Sequence, residues 1–237
     1  MKTAICFTGT CRSLQYTHEN IKEYLIDSVE DSDIFMVIAD NPSAYKAKEF
    51  FNIPSVKKIV IVPEPEYNIN NLQFREEWPP PTTTKQIYYK MIKARQYCNE
   101  ILSSYEKEQE EPYERIIFSR LDVKYFANVG DVLKNTNINN ICIPDFHNTF
   151  GGVINGYNDR FASGTRDNMA VYFNLPDSAT PFVNSGGRIT AETLLKWHME
   201  HHDIQIEKAS VRFTRVRPDG KEIDLRLKNS VLKNSDT

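Results

Sequence analysis

The feature that most constrains this fold is the regular alternation of short apolar runs with segments whose apolar residues have helical spacing. The runs TAICFT (3–8), DIFMVIAD (33–40) and VKKIVIV (56–62) are rich in residues that favour strands. A loop and a helical pattern beginning at Leu14 follow the first run, and a short helical segment follows the second. This alternation predicts an α/β fold with a mostly parallel central sheet flanked by helices and joined by right-handed crossovers.

The rest of the sequence extends this pattern. The spacing predicts a long helix from Gln86, with an apolar stripe of Ile87, Met91, Ala94, Cys98, Ile101 and Tyr105. Further strands are predicted at 116–118, 141–146, 203–207 and 211–217, and further helices at 165–174 and 190–202. The proline-rich segment 63–84 is interpreted as a long loop, and the glycine-rich segment 151–164 as a connector.

Length and composition predict a single domain over residues 1–237. A chain of 237 residues with 40% apolar content can bury one sizeable core. No internal repeat or low-complexity tract divides it, and residues 226–237 are expected to form a frayed tail.

The charge and the cysteine content restrict which binding partners and which cellular compartment are expected. The chain has 29 Lys and Arg against 32 Asp and Glu, which supplies no basic field for nucleic acid. No apolar run approaches the ~20 residues of a transmembrane helix, and residues 1–7 do not resemble a signal peptide. The four cysteines form no metal-like cluster, so reduced thiols and a soluble, cytoplasmic protein are expected.

Ligands of parallel α/β sheets bind beyond the carboxyl ends of the strands, which here are 8–13, Asp40 with Asn41, and the segment after Val62. Thr8, Gly9 and Arg12 offer backbone N–H groups, a guanidinium and little steric bulk, as a diphosphate requires. The alternative is ordinary turn chemistry. The segment is neither a Walker A loop nor a dinucleotide fingerprint.

The strand at 116–118 runs directly into Arg120, Leu121 and Asp122. Asp122 is a candidate ligand for a divalent cation such as Mn²⁺ or Mg²⁺ that bridges phosphates. Alternatively, Arg120 pairs with Asp122 and caps the strand, or Arg120 itself neutralises a phosphate.

Two further carboxylates are candidate catalytic bases. Asp159 lies in the polar, glycine-flanked segment NDRFASG (158–164), where it could accept a proton from a hydroxyl, although Asn-Asp is also a common turn dipeptide. Glu192 lies in the first turn of the helix that begins at Thr190, a position that the helix dipole favours for any carboxylate.

Histidines and arginines near the C-terminus leave more than one interpretation open. His198 and His202 have the spacing of one helical turn, which permits a zinc site, but histidines are also favoured near a helix C-terminus. Arg217 could reach a phosphate from a closing strand, as could Arg212 and Arg215. A solvated strand face is the alternative.

Five segments in this order resemble a family of small GT-A-like nucleotide-sugar glycosyltransferases of bacteria and large DNA viruses. They are AICFTGTCRSL, KQIYYKMIKARQYCNEI, IIFSRLDV, NDRFASG and AETLLKWHM. The match runs from Ala4 to about Arg217. In that family a DxD-like motif lies where Asp122 stands, and here Arg120 replaces its first acid, which puts metal dependence in doubt.

The resemblance implies a GT-A-like (Rossmann-like) fold and transfer of a sugar from a nucleotide-sugar donor to a hydroxyl of a glycan or glycoconjugate. Residues 1–126 would bind the donor through Thr8, Gly9 and Arg12, and residues 127–225 would form the acceptor side around Asp159 and Glu192. The alternatives are a non-catalytic nucleotide- or carbohydrate-binding relative and a nucleotidyltransferase.

Overall fold

A computed structural model describes residues 1–75, 82–147, 149–150 and 154–223. The strands in this part of the chain are β1 (Thr3–Gly9), β2 (Ser32–Ala39), β3 (Val56–Val62), β4 (Arg115–Arg120), β5 (Val123–Tyr125), β6 (Ile141–Pro144), β7 (Thr149–Phe150), β8 (Ile154–Asn155), β9 (Phe161–Thr165), β10 (Ile206–Ala209), β11 (Phe213–Val216) and β12 (Glu222–Ile223). The main sheet has seven strands in the order β10-β6-β9-β4-β1-β2-β3.

This sheet confirms the predicted mostly parallel α/β architecture. Strand β1 pairs in parallel with β2 and β4, β2 pairs in parallel with β3, and β6 pairs in parallel with β10. The order β3-β2-β1-β4 is that of one half of a doubly wound nucleotide-binding sheet. Strand β9 is antiparallel to both of its neighbours, β4 and β6.

Strand β9 corrects the prediction that 151–164 is wholly a connector. Its sequence, FASGT, contains small residues and carries no apolar run that would indicate a strand. The small side chains are needed because the strand is enclosed. A Cβ added at Gly164 would lie 3.2 Å from the carbonyl oxygen of Asn140. Close approach of the neighbouring backbone therefore favours glycine at position 164 of this strand.

Helices cover both faces of the main sheet. They are α1 (Leu14–Ile21), which a π-helical turn (Lys22–Ile26) extends, α2 (Lys46–Phe50), α3 (Thr82–Gln109), α4 (Val129–Leu133), α5 (Arg166–Phe173), α6 (Ala179–Asn184), which follows a 3₁₀ turn (Leu175–Ser178), and α7 (Ala191–His201). Because side chains alternate along a strand, Ala4 and Cys6 of β1 join the core cluster beneath α3, while Ile5 and Phe7 join the cluster that includes α1. Both faces of the central strands are therefore buried, as predicted for 33–40.

The predicted apolar stripe of α3 is buried only in part. Ala94 and Cys98 are buried as predicted, whereas Ile87 is 48% exposed. Other buried residues of this helix lie outside the stripe, and they are Tyr88, Ile92, Arg95 and Leu102. The predicted stripe assigned only apolar residues to the buried face, but an arginine occupies its middle.

A small sheet of β12, β11 and β5 brings the C-terminal strands beside the end of β1. The hydroxyl of Ser13 donates to the carbonyl of Val216 at 2.7 Å, and the N–H of Val216 donates to the carbonyl of Asp122 at 2.8 Å. These bonds connect the loop after β1, the loop after β4 and strand β11. The predicted tail at 226–237 and residues 76–81 of the predicted loop lie outside the described residues.

Two other expectations concern the cysteines and the membrane. Cys6, Cys11, Cys98 and Cys142 are free and buried. Within the described ranges, no helix has the length and apolar character that crossing a membrane requires.

Candidate functional site

A cavity of about 280 Å³ lies at the carboxyl ends of four neighbouring strands. The last residues of β1, β2, β3 and β4, which are Gly9, Ala39, Val62 and Arg120, all line it. This is the sheet edge that the sequence indicated for ligand binding.

The wall of the cavity carries more positive than negative charge. Among the described residues its cations are Arg12, Lys90, Arg95, Arg120 and Arg217, and its carboxylates are Glu64 and Asp122. Lys90 pairs with Glu66 at 2.6 Å, outside the wall. Arg12 and Arg217 are exposed and form no ion pair with the part of the chain that the structure describes. Their guanidinium groups are thus available to an anion.

The loop after β1 has a backbone that requires glycine. Gly9 has a φ of +125°, which L side chains rarely adopt, and nothing lies within 4 Å of the position of an added Cβ. The turn exposes backbone between Thr8 and Arg12, and the Nε of Arg12 donates to the hydroxyl of Thr10 at 3.3 Å. All three residues predicted here, Thr8, Gly9 and Arg12, line the cavity.

Apolar side chains of α3 and of the loop after β3 also line the cavity, next to Glu64, Lys90 and Arg95 of the same two elements. They are Pro63, Pro65, Tyr67, Ile87, Met91, Ala94 and Tyr97. Tyr97 is 44% exposed and Ile87 48%. The lining of the cavity therefore combines guanidinium groups with apolar side chains.

Arg120 and Asp122 form a two-bond ion pair at the end of β4. The Nε of Arg120 donates to Oδ1 of Asp122 at 2.7 Å, and its Nη2 donates to Oδ2 at 2.6 Å. Burial by itself would raise the pKa of Asp122, but the charge and hydrogen bonds of Arg120 outweigh it and lower that pKa. The structure thus contains the pair that the sequence left as an alternative to a metal ligand.

The cavity does not fit a divalent cation well. Hard cations prefer several oxygen ligands, and both oxygens of Asp122 already accept hydrogen bonds from Arg120. Within the described ranges, no group of three His, Cys, Asp or Glu side chains is placed to hold a metal ion. Mn²⁺ or Mg²⁺ binding stays a prediction, and no chemical step below depends on it.

Asp159, predicted as a candidate base in a polar, glycine-flanked segment, is not among the residues that line the cavity. It is 2% exposed, and Nη2 of the fully buried Arg95 donates to its carboxylate at 2.9 Å and to its carbonyl at 2.7 Å. Burial by itself would raise the pKa of Asp159, but Arg95, Arg160 and Arg120 together lower it to about 2. Asp159 is thus the counter-ion of the buried Arg95.

Glu192 lies in the first turn of α7, as predicted, and is 7% exposed. Its Oε1 is 3.7 Å from Nη2 of Arg160, a contact that is longer than a hydrogen bond. Burial raises the pKa of Glu192, and the carboxylate of Asp159 adds to the shift. A carboxyl group of raised pKa is the type that enzymes use for proton transfer.

Two other predicted residues differ in placement. Arg217 lines the cavity beside Val216 and Pro218. Asp40 is exposed and does not line it, although the preceding residue, Ala39, does.

The histidines of α7 do not converge on a common point for zinc. His198 is 1% exposed, its Nδ1 lies 2.6 Å from the Ser178 hydroxyl and its Nε2 lies 2.7 Å from the Val171 carbonyl. Since a carbonyl can only accept, Nε2 carries the proton and Nδ1 accepts from Ser178. Both ring nitrogens are therefore occupied within the protein.

Stability should fall as the pH is lowered from about 6.5 to about 4, because burial lowers the pKa of His198 to about 4. The unfolded chain takes up a proton at this histidine below about pH 6.5 and the folded chain only below about pH 4, so acid favours unfolding by up to about 3 kcal/mol. Urea unfolding at pH 7.5 and 5 measures this. His198→Gln should remove this loss of stability between pH 7.5 and 5, and His18→Gln should retain it. An unchanged pH dependence of stability in His198→Gln would contradict the attribution to His198.

Arg95 and Arg160 are the residues of this region that the sequence analysis missed. The guanidinium of Arg95 lies over the rings of Phe118 and Tyr172, at 4.7 and 5.6 Å from their centroids. A signal was present, because Arg95 is four residues after Met91 and three before Cys98, on the apolar side of a predicted helix. Arg160 gave no comparable signal, since its segment was interpreted as a loop.

The fold and the cavity define an α/β protein with a cation-rich cavity at the carboxyl ends of parallel strands. Residues 1–218 match the family described as "Domain of unknown function (DUF7796)", and the chain belongs to this family. No curated protein matches the sequence. Membership in a glycosyltransferase family of bacteria and large DNA viruses stays a prediction.

Two solved structures are similar to this chain at low sequence identity. One is the apo form of the glycosyltransferase GlyE of Streptococcus pneumoniae TIGR4, with a TM-score of 0.49, 10% identity and coverage of 88% of this chain. The other is mouse xyloside xylosyltransferase 1, also in its apo form, with a TM-score of 0.46, 12% identity and coverage of 88% of this chain and 85% of that one. This chain spans less than half of GlyE, 45% of its length.

Proposed function

We propose that this protein is a glycosyltransferase that moves a sugar from a nucleotide-sugar donor to a hydroxyl of a glycan or glycoconjugate. The observation that carries the proposal is the cavity at the ends of β1 to β4, whose lining combines the exposed guanidinium groups of Arg12 and Arg217 with apolar side chains. A nucleoside diphosphate presents a doubly charged group next to a flat, partly apolar base. These two chemistries match the two kinds of lining residue.

In the transfer, the acceptor oxygen forms a bond to the anomeric carbon of the sugar while the bond from that carbon to the phosphate oxygen breaks. The nucleoside diphosphate leaves with the electron pair. Arg12, Arg120 and Arg217 stabilise its developing charge, because guanidinium groups bind phosphate oxygens in pairs. With inversion at the anomeric carbon, Glu192 accepts the proton of the acceptor hydroxyl, since Asp159 is enclosed by Arg95.

The proposal is tested first by thermal shift against UDP-, GDP-, dTDP- and CMP-sugars. A donor at about a hundred times its Kd should stabilise the protein by about 2.7 kcal/mol, which corresponds to roughly 5–10 °C in Tm. Selective stabilisation by one nucleotide class, followed by release of the nucleoside diphosphate in the presence of a hydroxyl acceptor, is the expected result. No shift with any donor would contradict the proposal.

Glu192→Gln should lower turnover by about 10²–10⁴-fold without weakening donor binding. The wild-type rate should rise with pH through the pKa of Glu192, because a base must be ionised. Burial raises this pKa, so the rise should occur at a higher pH than for an ordinary glutamate. The variant should lose this rise of rate with pH. Glu200→Gln on the exposed face of α7 is the matched control. Wild-type turnover in Glu192→Gln would remove Glu192 from the mechanism.

A non-catalytic nucleotide- or carbohydrate-binding protein is the second candidate. The observation that favours it is the placement of the two predicted bases, since neither Asp159 nor Glu192 is among the residues that line the cavity. Such a protein would bind a nucleotide-sugar and leave it intact. Nuclear magnetic resonance of the bound donor over several hours, with and without acceptor mixtures, distinguishes binding from turnover.

A further inference from the structure

The Arg120–Asp122 pair places a cation where a metal-bridged site would need a free carboxylate. Both carboxylate oxygens of Asp122 are engaged, at 2.7 and 2.6 Å, by the two donors of a planar guanidinium. The main chain is held as well, since the carbonyl of Asp122 accepts the N–H of Val216 at 2.8 Å. A cation at Asp122 would have to displace this arrangement, and the cavity wall offers only Glu64 as a second carboxylate among the described residues.

Positive charge accumulates around the same point. Arg12 and Arg217 stand at the cavity without carboxylate partners among the described residues. Beside Arg120, whose N–H donates to the carbonyl of Arg160 at 3.3 Å, Nε and Nη1 of Arg160 are buried without a hydrogen-bond acceptor among the described residues. The side chain of Arg160 is 12% exposed, and its contacts to Asp159 and Glu192, at 3.9 and 3.7 Å, are too long for hydrogen bonds.

The wall of the cavity carries more cations than carboxylates among the described residues, and this balance favours an anionic ligand. A divalent cation would add to the positive charge, whereas a diphosphate would offset it.

From this arrangement we infer that the cavity binds the diphosphate of its ligand through guanidinium groups without a divalent cation, and that Asp122 is a positioning residue that orients Arg120. This inference rests on the proposed function, because it concerns how the same cavity holds a nucleoside diphosphate. Asp122 fixes the plane of Arg120, so that the remaining N–H groups of that guanidinium face the phosphate oxygens.

The test is calorimetric titration of the full chain with UDP, GDP and dTDP, in EDTA and in Mn²⁺ or Mg²⁺. We expect the Kd of the nucleotide that binds to change by less than about twofold between EDTA and metal, since guanidinium groups supply the neutralising charge. Binding that requires metal would overturn the inference and leave the proposed function standing. Absence of binding by all three nucleotides in both conditions would overturn the proposed function and the inference with it.

Two variants separate the positioning role from a metal-ligand role. Asp122→Asn replaces one of the two acceptors that hold Arg120 with an amide donor, so it should weaken binding about threefold to fivefold in EDTA and in metal alike. Arg120→Gln removes the guanidinium itself and should weaken binding about tenfold or more. A metal ligand at Asp122 would give the opposite order, with the larger loss in Asp122→Asn and only in the presence of metal. That order would overturn the inference. Asp131→Asn, at an exposed carboxylate of α4 that does not line the cavity, is the matched control, and circular dichroism checks that each variant is folded.

Discussion

Replacement of Arg95 with methionine should lower the free energy of unfolding by about 3–5 kcal/mol, because it leaves the carboxylate of Asp159 buried without its partner. Arg95 is fully buried, Asp159 is 2% exposed, and the two are joined at 2.9 Å. Methionine retains much of the apolar contact with Phe118 and Tyr172, so the loss reports on the charge. Urea unfolding at pH 7 measures it, and Tm should fall by roughly 6–20 °C.

The dependence on pH identifies the cause of this loss. The pKa of Asp159 is about 2 in the folded protein, below the ordinary value of about 3.9, so the pair stabilises the wild type above about pH 4 and this contribution is lost toward pH 2. The difference between wild type and Arg95→Met should therefore narrow as the pH is lowered through this range. A difference that is constant with pH would indicate lost packing instead.

Two comparison variants complete this experiment. Adding Asp159→Asn to Arg95→Met should recover at least about 1–2 kcal/mol, since the uncompensated charge is gone. Lys22→Met breaks the exposed pair with Asp27, whose side chains are about half exposed, and should cost less than about 1 kcal/mol. Equal losses of unfolding free energy in Arg95→Met and Lys22→Met would refute the conclusion that the buried Arg95–Asp159 pair stabilises the protein more than an exposed pair does.

Arg12→Ala and Arg217→Ala should each weaken nucleoside diphosphate binding about tenfold or more, because a charge-assisted hydrogen bond is worth about 1.5–3 kcal/mol. Both side chains are exposed and carry no ion pair within the described residues, so neither substitution should affect the fold. The double variant should weaken binding by about 10²-fold or more if the two contacts are independent. Titration with the nucleotide selected by the thermal-shift experiment measures these losses.

The specificity of this effect depends on where the charge is removed. Lys46→Ala changes the net charge equally but lies outside the cavity wall, so its Kd should remain near that of wild type. Raising the salt concentration should weaken wild-type binding more than binding by the double variant, because fewer charged contacts remain to be screened. Wild-type affinity in both arginine variants would show that the anion binds elsewhere.

The strands that the sequence predicted well are those with the clearest local pattern. Apolar runs at 33–40 and 56–62 carry enough strand-forming residues to be recognised alone, and both are strands of the main sheet. Strand β9 carries Ala162, Ser163 and Gly164, whose small side chains are required by neighbours that come from distant parts of the chain. A pattern of nearby residues has no information about such neighbours, so this strand was interpreted as a connector.

The same distinction separates the parts of the candidate site. Thr8, Gly9 and Arg12 were predicted from their position after a strand, and they line the cavity. Asp159 was predicted as a candidate base from the polarity of its segment, but its environment is set by Arg95, which is 64 residues away in the sequence. Polarity indicates only that a side chain can interact, and tertiary contacts determine with which group it does so.

By itself, the sequence determined the α/β class of this protein, the two-sided burial of its central strands and the sheet edge at which the cavity lies. Hydrophobic periodicity carries that information because it depends on residues within one or two turns or strand lengths of each other. Only the tertiary structure decided that β9 runs antiparallel, that Asp122 is held by Arg120 and that Asp159 is enclosed by Arg95. Ion pairing and burial of charge fall off over a few ångströms, so they depend on how distant segments pack together.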